Sequence, residues 1–154
     1  MSLSIIIPCR NEEENISKTI IDINKKLSKK IKNYEIIIIN DFSTDKTFEI
    51  GKKLSSKKVI IKNNINKGLG GAINYGIKTA KKKFIVIMMA DLSDSCSDLL
   101  KYYKIISNGK LDAVFGSRFL KNSKVIDYPL KKMIFNRIFN YLVKIIFFSN
   151  YNDF

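Results

Sequence analysis

Leu3-Ser4-Ile5-Ile6-Ile7-Pro8-Cys9-Arg10-Asn11-Glu12-Glu13-Glu14 is a short β-branched run that ends in a polar, acidic turn. Such a run reads as a strand buried on both faces of a sheet, and the turn as the entry to a helix. Asn11 is placed to cap that helix, Glu14 falls at the capping-box position, and the acids face the positive end of the dipole. Lys25, Lys26, Lys29 and Lys30 close it at the negative end. The same alternation continues outward. Tyr34–Ile39, Val59–Lys62, Phe84–Met89 and Leu111–Gly116 read as further strands. Between them come a helix over Thr44–Leu54 capped near Ser43, one opened by Gly68-Leu69-Gly70-Gly71 and running to about Ala80, and one over Ser97–Ser107. A last apolar and basic helix, about Leu130–Phe148, follows Pro129. Strands alternating with helices predict an α/β fold, a mainly parallel sheet flanked by helices, with ligands at the carboxyl ends of its strands.

A chain of 154 residues fits one domain. The formal charge of +14 suits phosphorylated substrates or an anionic membrane surface. It does not point to nucleic acid. Only Arg10, Arg118 and Arg137 among the 28 basic residues are arginines, and nucleic-acid readers favour that side chain for its planar fork. The lysines read instead as solvated helix faces. With no histidine and two unpaired-looking cysteines, Cys9 and Cys96, the composition excludes zinc chemistry and a Ser-His-Asp triad. Ser4–Pro8 is too short for a signal peptide, which predicts the cytoplasm or the cytoplasmic face of a membrane.

Each strand's carboxyl end carries polar residues: Arg10, Asn11 and Glu12, then Asn40 and Asp41, then Asp91–Asp94, then Ser117 and Arg118. In a parallel sheet these converge on one crevice. The first strand-to-helix turn lacks glycine, so a dinucleotide-binding G-x-G-x-x-G is absent where it belongs; Gly68 and Gly70 give a partial version in the third unit. No P-loop is present. A dehydrogenase or an ATPase is thereby disfavoured.

Four stretches together resemble family 2 glycosyltransferases, which have the GT-A (Rossmann-like) fold. Ser4-Ile5-Ile6-Ile7-Pro8-Cys9-Arg10-Asn11-Glu12-Glu13 is similar to the family's opening, and Ile39-Asn40-Asp41-Phe42-Ser43-Thr44-Asp45 to its V-D-D-G-S-T-D segment. Asn66-Lys67-Gly68-Leu69-Gly70-Gly71-Ala72 and Gly116-Ser117-Arg118-Phe119 resemble the polyprenyl-phosphate mannose and glucose synthase branch. The resemblance implies that residues 1–154 form a catalytic domain incomplete at its C-terminus, because Asp153-Phe154 looks like the start of a longer family segment. It implies transfer of mannose or glucose, with inversion, from GDP-mannose or UDP-glucose to a polyprenyl phosphate. Pro8, Arg10, Glu12, Asn40, Asp41, Lys67, Gly68 and Ala90 would form the nucleotide site, with Asp41 on the base or ribose. Asp91 would hold a magnesium or manganese ion, and Arg118 would face the phosphates.

Three positions depart from the family's pattern. Met89 stands where the first acid of the usual Asp-x-Asp stands, and a thioether is no ligand for a hard cation. The donors left are Asp91 with Ser93 or Asp94. Asn40 replaces the first acid of its pair, and Phe42 replaces a glycine, which predicts a different local turn. A lipid phosphate acceptor is already ionised at neutral pH, with a second pKa of about 6, and needs no general base. A glycan hydroxyl would need one, Asp94 or Asp153. A non-catalytic nucleotide-sugar-binding domain is the reading from another class. Residues 130–148 carry Lys131, Lys132, Arg137 and Lys144, too many cations for a spanning helix. A helix lying in the membrane interface accommodates them.

Overall fold

A computed structural model describes residues 2–117 and 129–148. They fall in two compact units that part between Asp112 and Ala113. The first holds a four-stranded parallel sheet in the order β3-β2-β1-β4, built from β1 (Ser2–Cys9), β2 (Asn33–Asn40), β3 (Val59–Asn63) and β4 (Phe84–Ile87). Ile5, Ile6 and Ile7 of β1 and Ile36 to Ile39 of β2 are all 0 % exposed, as the uninterrupted isoleucine runs require of strands covered on both faces. Each such side chain contributes about 2 kcal/mol by leaving water.

The period of two splits these isoleucines between two layers. Ile5, Ile7, Ile36 and Ile38 pack with Ile16, Ile20, Ile23 and Leu27 of α1 (Ile16–Leu27), joined by Ile50 of α2 (Thr47–Lys53) and Leu99 of α4 (Cys96–Ile106). Ile6, Ile37 and Ile39 face Ala72 of α3 (Leu69–Thr79) on the other side. Helix α3 lies close: a Cβ on Gly76 would meet Ile6 Cγ2 at 2.3 Å. The chain thus steps outward from β1 to β3, crosses back over the opposite face through α3, and sets β4 beside β1. The order reverses at β1 and β4, and in open α/β sheets ligands bind outside the carboxyl ends at that reversal.

Several boundaries differ from the sequence reading. Asn11 does not cap α1; that position is Asn15, and Asn11 sits at φ 56° with its Oδ1 accepting from Thr44 N at 2.8 Å. Helix α2 begins at Thr47 rather than Thr44, because residues 43–46 are spent on the turn after β1: Ser43 Oγ accepts from Asn11 N and Asp45 Oδ2 from Glu13 N. Phe42 takes φ 54°, a left-handed conformation that costs a side chain with a Cβ about 1–2 kcal/mol. The capping residue of α4 is Ser95, whose hydroxyl accepts from Ser97 N. The expected strand Leu111–Gly116 is not formed. A strand exists only through its ladder, and among the described residues this segment has none; Leu111 and Phe115 are 52 and 79 % exposed.

The second unit contributes α5 (Leu130–Phe147). Phe135, Tyr141, Ile146 and Phe147 along it are exposed. Among the described residues no helix is long and apolar enough to cross a membrane.

Candidate nucleotide site

Backbone pairing brings the strand ends together. Cys9 is in register with Asn40, and Asn40 with Asn63. The ladder continues past the strands, with Asp41 N donating to Cys9 O at 2.8 Å, Asn64 N to Asn40 O at 2.9 Å and Met88 N to Ile6 O at 2.9 Å. A cleft of about 310 Å³ opens at these ends. Pro8, Arg10, Glu12, Asp41, Gly68 and Ala90 of the expected nucleotide set line it, as do Cys9, Leu69 and Met89, which the sequence reading did not assign.

Asp41 is the cleft's anchor. It is 5 % exposed, and a polar group so buried needs hydrogen-bond partners. Gly68 N donates to both its oxygens, at 2.9 and 3.0 Å, and Asn64 Nδ2 donates to Oδ1 at 2.8 Å. Asn64 also ties the loop to itself, Nδ2 donating to Asn66 O at 2.6 Å. Gly68 takes φ 108°, which glycine adopts without cost, and starts α3 from there. Nothing in the spacing of Asn64 and Asp41 marks this pairing; it appears only when β2 and β3 lie side by side.

Two of the eight expected nucleotide residues stand outside the cleft lining, as do Asp91, Ser93 and Asp94 of the acidic loop. Asn40 is buried, its Nδ2 donating to Asn63 Oδ1 at 2.8 Å, with Oδ1 unpartnered among the described residues. Lys67 is exposed on the loop next to Gly68. Arg118 and Asp153 lie outside the described residues.

The acidic loop follows β4. Thr19 of α1, which the sequence did not single out, pins it by donating to Ala90 O at 2.8 Å. Asp91 Oδ1 accepts from Ser93 N at 3.0 Å, and Asp94 Oδ2 from Met89 N at 2.7 Å. The Asp94 carboxylate therefore lies against the backbone of the residue whose own side chain offers no oxygen. Each acid spends one oxygen in these bonds. Magnesium keeps several waters and takes one or two carboxylates, so the donor types in this loop are of the kind such an ion uses. Among the described residues no set of three Asp, Glu, Cys or His gathers into a self-contained metal site.

The turns after β1 and β2 are knitted together at the cleft's edge. Glu12 N donates to Thr47 Oγ1 at 2.7 Å and Lys46 N to Glu13 Oε2 at 3.0 Å. Burial pushes the Asp45 carboxyl up, but hydrogen bonds from Thr47 and Glu13 outweigh it and hold the group below its ordinary value. Burial first, then the charges of Glu12, Asp45 and Asp41, push the Cys9 thiol up to about 12. Burial and a hydrogen bond with Asp22 do the same for Cys96, also to about 12. Neither thiol is therefore a nucleophile at neutral pH. Both ionise near 9.0 when unfolded, so the stability they contribute is complete below pH 9 and declines as pH rises from 9 toward about 12. Urea midpoints across that window test the decline, and a thiol reagent at neutral pH is expected to leave both cysteines unmodified until denaturant is added. Rapid labelling of the native protein contradicts it.

The profile of Glycosyl transferase family 2 matches residues 4–153. The chain belongs to this family. Dolichol-phosphate mannosyltransferase of Pyrococcus furiosus is 35% identical over 139 residues, 89% of this chain and 39% of that protein. UDP-Glc:alpha-D-GlcNAc-diphosphoundecaprenol beta-1,3-glucosyltransferase WfaP of Escherichia coli is 41% identical over 90 residues, 58% of this chain and 35% of that protein. The chain thus spans well under half the length of either relative. Of solved structures, S. aureus TarS 1-349 in complex with UDP superimposes with a TM-score of 0.51 at 23% identity, over 68% of this chain and 32% of that one. The likeness confirms the α/β GT-A fold expected from the sequence.

Proposed function

We propose that this family 2 glycosyltransferase chain carries the nucleotide-sugar half of an enzyme that transfers mannose or glucose, with inversion, from a nucleoside-diphosphate sugar to a polyprenyl phosphate. The observation that carries the reading is the cleft at the β1/β4 reversal, anchored by buried Asp41 and lined by Met89 and Ala90, from which the Asp91–Asp94 loop continues. Two relatives, a dolichol-phosphate mannosyltransferase and a glucosyltransferase named for a diphosphoundecaprenol-linked sugar, support the lipid-linked acceptor.

The chemistry asked of these residues is modest. One displacement at the anomeric carbon inverts it, and the nucleoside diphosphate leaves. The ionised lipid phosphate attacks without a general base. The protein's work is to hold donor and acceptor in line and to offset charge on the departing pyrophosphate. Asp91 and Asp94 would hold a magnesium or manganese ion, which supplies that offset when bound. Gly68 N is taken by Asp41, so phosphate oxygens would meet the backbone donors that follow it in the first turn of α3, where the helix dipole also suits anions. Arg118 is assigned to the phosphates by the family's motif. Helix α5, with exposed aromatic and aliphatic side chains interleaved with Lys131, Lys132, Arg137 and Lys144, is proposed to lie on the cytoplasmic surface of an anionic membrane, where the acceptor resides.

Incubation with labelled GDP-mannose and UDP-glucose and polyprenyl phosphate in anionic vesicles is expected to give a labelled lipid with one of the two donors. If no donor gives labelled lipid and calorimetry detects no nucleoside diphosphate in the cleft, the reading fails.

A further inference from the structure

Thr19 sends its hydroxyl away from its own helix. A helical threonine ordinarily turns that group back to the carbonyl four residues earlier, and Asn15 O is in reach at 3.1 Å. Asn15 O, however, already accepts from Thr19 N at 2.9 Å. Ala90 O lies closer, at 2.8 Å, and the Thr19 hydroxyl is its only donor among the described residues. Thr19 and Ala90 are each 1 % exposed, so water does not replace the bond. Helix α1 gains little from it; the loop after β4 gains an anchor.

The Ala90–Asp91 peptide is trans, so Ala90 O and Asp91 N–H lie on opposite sides of one rigid plane. Fixing the oxygen against α1 fixes the plane, and with it the direction in which the chain enters Asp91. Beyond that plane the loop is tied only to itself. Asp91 Oδ1 accepts from Ser93 N, and Asp94 Oδ2 returns to Met89 N. Between them Leu92 takes φ 65°, which a side chain with a Cβ does not adopt freely. A loop released at Ala90 therefore has strain to relax.

We propose that Thr19 is the positioning residue of the acidic loop: its hydroxyl sets the Ala90–Asp91 peptide and so holds Asp91 ready for a divalent cation on the donor's pyrophosphate. The inference rests on the nucleotide-sugar reading above and adds to it a residue of α1. Without the hydroxyl, Ala90 O is a buried acceptor with no donor, a penalty the chain escapes by rotating the peptide. A ligand must then order the loop, and affinity falls by the cost of doing so. The loss appears where the loop is used, in the affinity that the cation adds. Asp41 and Gly68 keep their own hydrogen bonds.

Calorimetry with UDP and with GDP, each in EDTA and in magnesium, tests this on the whole chain and its variants. Thr19→Val exchanges the hydroxyl for a methyl group and keeps the buried shape, whereas Thr19→Ser keeps the hydroxyl. For whichever nucleotide binds, the gain that magnesium adds is expected to shrink about tenfold in Thr19→Val and to stay within about twofold of the parent in Thr19→Ser. Affinity in EDTA is expected to change by less than about twofold in both. An undiminished magnesium gain in Thr19→Val overturns the inference. So do equal losses with and without the metal, which mark a structural role alone. A parent chain that binds nucleotide with no magnesium gain also overturns it and leaves the nucleotide reading standing; binding of neither nucleotide overturns both. Thr19→Ala, favourable in a helix, carries the same expectation if Thr19→Val does not fold.

Discussion

Asp91→Asn is expected to lower sugar transfer by about 100-fold or more, the scale seen when a group that stabilises transition-state charge is removed. The proposed metal site predicts that magnesium raises nucleoside diphosphate affinity in the parent chain and that Asp91→Asn abolishes this gain. Asp91 is exposed, and its one bond within the loop is accepted by Oδ1 from Ser93 N, which an asparagine carbonyl can still accept. The fold therefore has no reason to change, and an unaltered melting temperature is part of the prediction. Met89→Asp is the complementary variant. It adds an acid beside Ala90, where the Asp94 carboxylate already lies against the residue 89 amide, and it is expected to strengthen the magnesium dependence. Parent-level transfer and undiminished magnesium dependence in Asp91→Asn would remove Asp91 from the site.

The second large effect is structural. Gly71→Ala places a Cβ 1.9 Å from the backbone oxygen of Asn66, which no side-chain movement relieves. Asn66 O is also the acceptor for Asn64 Nδ2, so displacing it loosens the clasp on Asp41 and Gly68. The expected cost is about 3 kcal/mol, or roughly 6–12 °C in melting temperature for a chain of this size, with nucleotide affinity falling at least tenfold. Gly70→Ala, one residue earlier, is the control. An added Cβ there meets nothing within 4 Å, and alanine favours the helix by up to about 1 kcal/mol. Thermal melts that rank the two variants alike would contradict the geometry.

The isoleucine runs at residues 5–7 and 36–39 made the central strands and their two-faced burial legible in the sequence, because nothing but a covered parallel sheet buries so many consecutive β-branched side chains. The order of motifs placed Pro8, Arg10, Glu12, Asp41, Gly68 and Ala90 in one site, and all six line the cleft. Boundaries were less legible. Asn11 and residues 43–45 look like helix caps one segment at a time, but their hydrogen bonds run between the two turns, a preference that local propensity does not contain. Leu111–Gly116 has a strand's composition, and composition does not supply a partner.

The sequence by itself determined the α/β alternation, the sheet's buried core and the loops where polar chemistry gathers, because periodicity and turn chemistry are local. The tertiary structure decided what the polar residues do to one another. Asp41 and Asn64 are 23 positions apart, and Thr19 and Ala90 are 71 apart. Their bonds form because parallel pairing brings distant strand ends within reach, and hydrogen bonds act only over about 3 Å. Asp41's place at a strand end was legible from its motif, whereas its bonds from Gly68 and Asn64 were not.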